Sequence, residues 1–99
     1  MSEFRVYPNK GWQMVFPNNW EISVMFGAGN YCQHRYENEL FGPKVCSPKD
    51  GHVSKDAHVG VFKPDGSVCT NFPYSSSSGD AGYMSPNQVA EIIAWVIAQ

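Results

Sequence analysis

Ser85-Pro86-Asn87-Gln88-Val89-Ala90-Glu91-Ile92-Ile93-Ala94-Trp95-Val96-Ile97-Ala98-Gln99 closes the chain, and it reads as an amphipathic helix. Ser85 is a favourable N-cap, Pro86 suits the first helical position, and Gln88 three residues on completes a capping box. Val89, Ile92, Ile93 and Val96 fall on one stripe, and Trp95 and Ile97 widen it. Such a stripe must be buried against another element. The lone charge, Glu91, leaves the rest of the helix weakly polar, so its outer face is a candidate contact surface between subunits.

The residues before the helix supply the element it covers. Gly11–Phe16 reads as a strand with Trp12, Met14 and Phe16 on one face. Trp20–Phe26 reads as a second, with Trp20, Ile22, Val24 and Phe26 facing one way and Glu21, Ser23 and Met25 the other. Between them Pro17-Asn18-Asn19 forms a tight turn, because Pro presets φ and Asn tolerates the left-handed region. Ala57–Phe62 is a third strand and Ser67–Phe72 a fourth. They are joined by Lys63-Pro64-Asp65-Gly66, where Gly66 suits a positive φ. The expected fold is α+β: a four-stranded antiparallel sheet of two hairpins, packed by one C-terminal helix. The whole chain, 1–99, is read as a single domain with irregular loops at 27–56 and 73–84. The Ser75–Ser78 run before Gly79 reads as a flexible connection.

Composition agrees with one modest core. A chain of 99 residues buries roughly 65% of the surface its unfolded form would expose. Aromatic residues make up 14% of it, and each supplies a large apolar area. Seven Lys and Arg lie scattered against nine Asp and Glu, for a net charge of −2. That pattern lacks the basic stripe that follows phosphates along a nucleic-acid duplex. It also lacks the acidic surface of a DNA mimic. No run of 18 apolar residues spans a membrane. The first residues carry no apolar signal core, and three cysteines (an odd count) fit reduced thiols in a cytosol.

Four constellations bear on chemistry. Gly27-Ala28-Gly29-Asn30 leads into Tyr31, His34, Arg35 and Tyr36. Small residues let a ligand approach the backbone, and successive N–H groups can cradle an anion. The aromatic and cationic side chains can stack on a base or hold a phosphate. The candidate ligand-binding residues are therefore Gly27, Gly29, Asn30, Tyr31, His34, Arg35 and Tyr36, although a turning strand end would use the same residue types. Cys32, His34, Cys46, His52, His58 and Cys69 include metal-ligand types, but their spacing matches no common zinc site, so no metal or cofactor is expected. No activating elbow or oxyanion turn surrounds Cys32 or His34, so no catalytic residue is assigned. Asp50, Asp56, Asp65 and Asp80 read as turn formers. Tyr7, Tyr31, Tyr36, Phe41, Tyr74 and Tyr83 lie in or beside loops, as low-entropy anchors for a partner or as satellite core.

Gly11–Phe16, Trp20–Cys32, Ala57–Phe62 with Pro64-Asp65-Gly66, and the closing Ser85-Pro86-x-x-Val89 together resemble a group of small proteins encoded by tailed bacteriophages. The resemblance spans most of the chain outside 36–56 and the serine run. It implies expression in an infected bacterial cytoplasm and action by binding rather than catalysis. Two such actions are sequestration of a nucleotide-derived signalling molecule and docking on a host defence protein in the manner of an anti-CRISPR. A small nucleotide hydrolase using His34 or Cys32, and a virion-associated domain, remain alternatives. A homo-oligomer is expected, because a weakly charged helix and surplus aromatics suit a subunit interface.

Overall fold

Alternation along Trp12–Met14 and Ile22–Val24 sets the register of the first hairpin. In the computed structural model, which describes residues 3–7, 10–26, 30 and 54–99, Trp12 lies opposite Val24 and Met14 opposite Ile22. These residues sit in β2 (Gly11–Val15) and β3 (Glu21–Met25). The turn between them closes as its residues require. Phe16 N–H donates to the Trp20 carbonyl at 2.8 Å, and Asn19, at φ 67°, donates its N–H to Phe16 O at 2.8 Å. Ahead of this hairpin lies β1 (Glu3–Tyr7); after it come β4 (Ala57–Phe62), β5 (Asp80–Met84) and the helix α1 (Pro86–Ile97).

The five strands form one antiparallel sheet in chain order, β1-β2-β3-β4-β5. Five strands replace the expected four, and the pair of hairpins is corrected with them. Glu3–Tyr7 adds an edge strand to β2. Ser67–Phe72 is not a strand: it meets β4 through a single bridge, Phe62 opposite Val68. The expected turn is still there, with Gly66 at φ +86° and Lys63 N–H bonded to Ser67 O at 2.8 Å. Past Val68 the chain leaves the ladder, because β5 occupies the adjoining edge of β4. Phe72 and Cys69 turn inward and are buried, while Val68 stays exposed.

The segment read as a loop at 73–84 therefore ends in a strand. Its serines are anchored. Ser75 Oγ donates to Thr70 O at 2.9 Å, and Ser76 N–H donates to Asp80 O at 2.7 Å. β5 carries one extra residue opposite His58, since Ala57 pairs with Met84 but Val59 pairs with Ala81. This is a bulge, and Tyr83 within it takes φ 58°.

One face of the sheet is apolar. Ile22 and Val24, Ala57, Val59 and Val61, and Ala81 are buried there, with Trp12 and Met14 packed beside them. α1 closes this face with Ile92 and Val96, which have no exposed surface. Each fully buried Ile or Val stabilises the fold by about 1.5–3 kcal/mol relative to exposure. The helix start is as the sequence predicts. Ser85 Oγ accepts from Gln88 N–H at 3.3 Å, and Gln88 Oε1 accepts from Ser85 N–H at 2.9 Å. Trp95 does not face outward: it meets Trp20 edge-on, with ring centroids 5.8 Å apart. Ile97 alone of the stripe's widening pair is exposed. Among the described residues, no helix is long and apolar enough to cross a membrane.

Candidate functional site

The apolar stripe of α1 is buried unequally across its two rows. Ile92 and Val96 have no exposed surface, whereas Val89 and Ile93, on the neighbouring row, are only partly buried. Beneath this second row the sheet and helix leave a cleft of about 310 Å³. Trp12 of β2, Val24 of β3, Ala57 of β4 and Met84 of β5 form its floor. Val89, Ala90 and Ile93 form the roof, and Phe26 and the Ser54–Asp56 approach to β4 close the sides. Its size lies at the small end of ligand pockets, about 300–1,000 Å³. Apolar walls with a few polar groups at the rim, here Ser54, Lys55 and Asp56, are the usual composition of such a site.

Chemically the cleft suits a flat, weakly polar ring. Trp12 and Phe26 offer aromatic surface, and Met84 offers a polarizable thioether that adapts to a ring edge. The start of α1 adds little for an anion. Pro86 has no N–H, and the Gln88 N–H is already taken by Ser85 Oγ.

Asn30 is the one described member of the expected ligand-binding set. Its Nδ2 donates at 2.8 Å to the carbonyl of Phe26, a cleft-lining residue. Gly27, Gly29, Tyr31, His34, Arg35 and Tyr36 lie outside the described residues, as do Cys32, Cys46, Asp50, His52 and Phe41. Phe26 of the cleft wall is thus the residue that precedes the Gly27–Tyr36 stretch in sequence.

The other groups singled out from sequence have structural partners. His58 Nε2 lies 2.9 Å from Asp80 Oδ2 on the face of the sheet opposite the helix. Ser76 Oγ donates to the other oxygen, Oδ1, at 2.5 Å. The hydroxyl bond from Ser76, and then the histidine, hold the Asp80 carboxyl below its ordinary pKa. The carboxylate sits between serine and histidine, so the histidine is not placed to take a proton from the hydroxyl. The trio clasps the 76–79 turn to the sheet. Asp65 is a turn former as expected: Ser67 Oγ and N–H both donate to its Oδ1, at 2.6 and 2.9 Å, and lower its pKa. Cys69 is a free, buried thiol 3.1 Å from Asn71 Oδ1. Among the described residues, no group of three or more His, Cys, Asp or Glu is gathered to hold a metal ion. Tyr7, Tyr74 and Tyr83 are 40%, 48% and 49% exposed, so they behave as surface residues rather than satellite core.

A second concavity, of about 530 Å³, lies at the far end of the sheet between Val15, Glu21, Phe62 and Lys63. It has opposite charges but no convergent aromatic wall, and the helix-side cleft is the better candidate. No protein-family model matches the chain, and neither does any curated protein sequence or solved structure.

Proposed function

We propose that this is a non-enzymatic binding protein whose ligand is a small, nucleotide-derived molecule, taken base-first into the cleft under α1. The observation that carries this reading is the junction at Phe26. Phe26, which lines an apolar cleft sized for one ring system, is followed in sequence by a Gly-rich stretch with Tyr31, His34 and Arg35. The cleft supplies stacking surface, and those cationic side chains supply phosphate recognition. On the resemblance to small phage proteins, the proposed activity belongs to the host bacterial cytoplasm, where it would counter immunity by sequestering a signal. The test is isothermal calorimetry of the folded protein against cyclic dinucleotides and ADP-ribose derivatives. Mass spectrometry of the ligand afterwards should find it unchanged. Absence of heat with every member of the panel sinks the proposal, and turnover of a bound member makes the protein an enzyme.

A second reading, a protein inhibitor docking on a host defence enzyme, is favoured by the exposed Tyr7, Tyr74 and Tyr83. Arg35→Ala separates the two. Capture of a phosphate-bearing ligand collapses without the guanidinium, whereas a broad protein interface loses little.

A further inference from the structure

The strand at the sheet margin, β1, is open in a way the opposite margin is not. Lys10 O accepts from Phe26 N–H and Trp20 O from Phe16 N–H, so the even-numbered residues of β2 direct their backbone groups to β3. Alternation in an antiparallel ladder then turns Gly11, Gln13 and Val15 toward β1, where they meet Tyr7, Arg5 and Glu3. The N–H and C=O groups of Phe4 and Val6 therefore point away from the sheet. Among the described residues, no strand pairs with them. The side chains are open too, with Phe4 70% and Val6 74% exposed. Edge strands are ordinarily blunted by Pro, Lys or a bulge. β5 has its bulge and left-handed Tyr83; Glu-Phe-Arg-Val-Tyr has no bulge and no proline within it, and its two charges are of opposite sign.

We propose that β1 pairs antiparallel with β1 of a second copy of this chain, about a two-fold axis at Phe4. The charges select that register. Glu3 and Arg5 project from the same face and lie 3.1 Å apart, with Arg5 also 3.8 Å from Glu21. With Phe4 opposite Phe4, each Glu3 lies across from the Arg5 of the other copy, and the pairing is its own complement. The Phe4 pair exchanges the two outward hydrogen bonds. Glu3 and Arg5 then fall at non-hydrogen-bonded positions, where facing side chains come closest. Antiparallel pairing keeps like faces together, so the Phe4 and Val6 side chains of both copies join into one apolar strip beside Trp12 and Met14. A ladder this short buries little area and gives a weak, concentration-dependent dimer. The inference is independent of the cleft.

Sedimentation velocity of the full chain, from micromolar to millimolar concentration, tests it. The wild type is expected to move from monomer to dimer. Phe4→Pro removes an outward N–H and no β1–β2 bond, and it should stay monomeric with an unchanged circular dichroism spectrum. Glu3→Arg and Arg5→Glu should each be monomeric alone and should dimerise when mixed one to one. A wild type that is monomeric throughout, a folded Phe4→Pro that still dimerises, or charge variants that dimerise alone but gain nothing on mixing would each overturn the proposal. So would a wild type that associates only with a strand from another protein.

Discussion

Asn18 and Val96 are 78 residues apart in sequence and joined by a 2.9 Å hydrogen bond from Asn18 Nδ2 to the Val96 carbonyl. The last carbonyls of a helix lack partners within it. Here the turn of the first hairpin supplies one, while Asn18 Oδ1 accepts from Trp20 N–H at 3.0 Å and sets the turn itself. One side chain thus fixes a local conformation and docks it to the far end of the chain. Asn18→Ala should cost about 1–2 kcal/mol, which in a domain of this size lowers Tm by about 4–8 °C per kcal/mol. Thermal denaturation checks it. A change within about 0.5 kcal/mol, the range of neutral surface substitutions, counts against the link.

The helix stripe gives a paired prediction. Ile92 belongs to the buried core and has no exposed surface, whereas Ile97, five residues later, is 60% exposed. Ile92→Ala should cost about 2–5 kcal/mol, as deletions in a packed core do. Ile97→Ala should stay within about 0.5 kcal/mol. Urea titrations of both measure the difference, and equal losses would mean the helix is seated on another face.

What the sequence discloses depends on whether neighbouring residues carry the whole signal. α1, the β2–β3 hairpin and β4 follow from local rules: the capping box at Ser85, alternation around Trp12 and Val24, and the turn chemistry of Asn19 and Gly66. β5 was hidden, because Asp80-Ala81-Gly82-Tyr83-Met84 combines poor strand formers with a bulge, behind a serine run. Its place beside β4 is set by long-range burial of Ala81. Ser67–Phe72 has the right alternation for a strand but loses its neighbour to β5. β1 shows alternation at Phe4 and Val6, yet five residues ending before a proline give little to weigh. The cleft was invisible for a different reason. Trp12, Phe26, Met84 and Val89 come from separate elements, so no spacing in the chain brings them together.

Acid should weaken the fold through Asp80. Its pKa is lowered in the folded state, first by the Ser76 hydroxyl and then by His58. A lowered carboxylate pKa stabilises the fold above the ordinary value and ceases to do so as pH falls through the folded value. Asp80→Asn should therefore cost about 1–2 kcal/mol at neutral pH. The gap between variant and wild type should narrow as pH falls below about 4. Denaturation midpoints across pH 2–7 reveal the trend, and a gap that widens in acid would contradict the assignment.

Two glycines share nearly the same backbone angle and should differ when replaced. Gly66 is at φ +86° with open space where a side chain would begin; Gly79 is at φ +87°, where a Cβ would lie 2.2 Å from Val68 Cγ1 and 3.0 Å from Cys69 O. Gly66→Ala carries the left-handed backbone cost alone, about 1 kcal/mol. Gly79→Ala adds a clash with a neighbouring turn and should exceed about 3 kcal/mol. Chemical denaturation of the two variants side by side isolates the surroundings from the backbone, and similar losses would show that the 76–79 turn yields easily.

Ala90 offers the cleanest test of the cleft. It lines the roof, yet its own surface is exposed on α1, so a larger side chain can enter the cleft without displacing Ile92 or Val96. Ala90→Trp should fill the apolar space, leave Tm unchanged or slightly raised, and abolish the calorimetric signal of any nucleotide that the wild type binds. Trp12→Ala should also remove that signal, but with a stability loss of about 3–5 kcal/mol, because Trp12 packs against the core as well. The contrast separates occupancy from folding. If Ala90→Trp is stable and binds the same nucleotide with undiminished affinity, the ligand sits elsewhere, and the Gly27–Tyr36 stretch acts without the cleft.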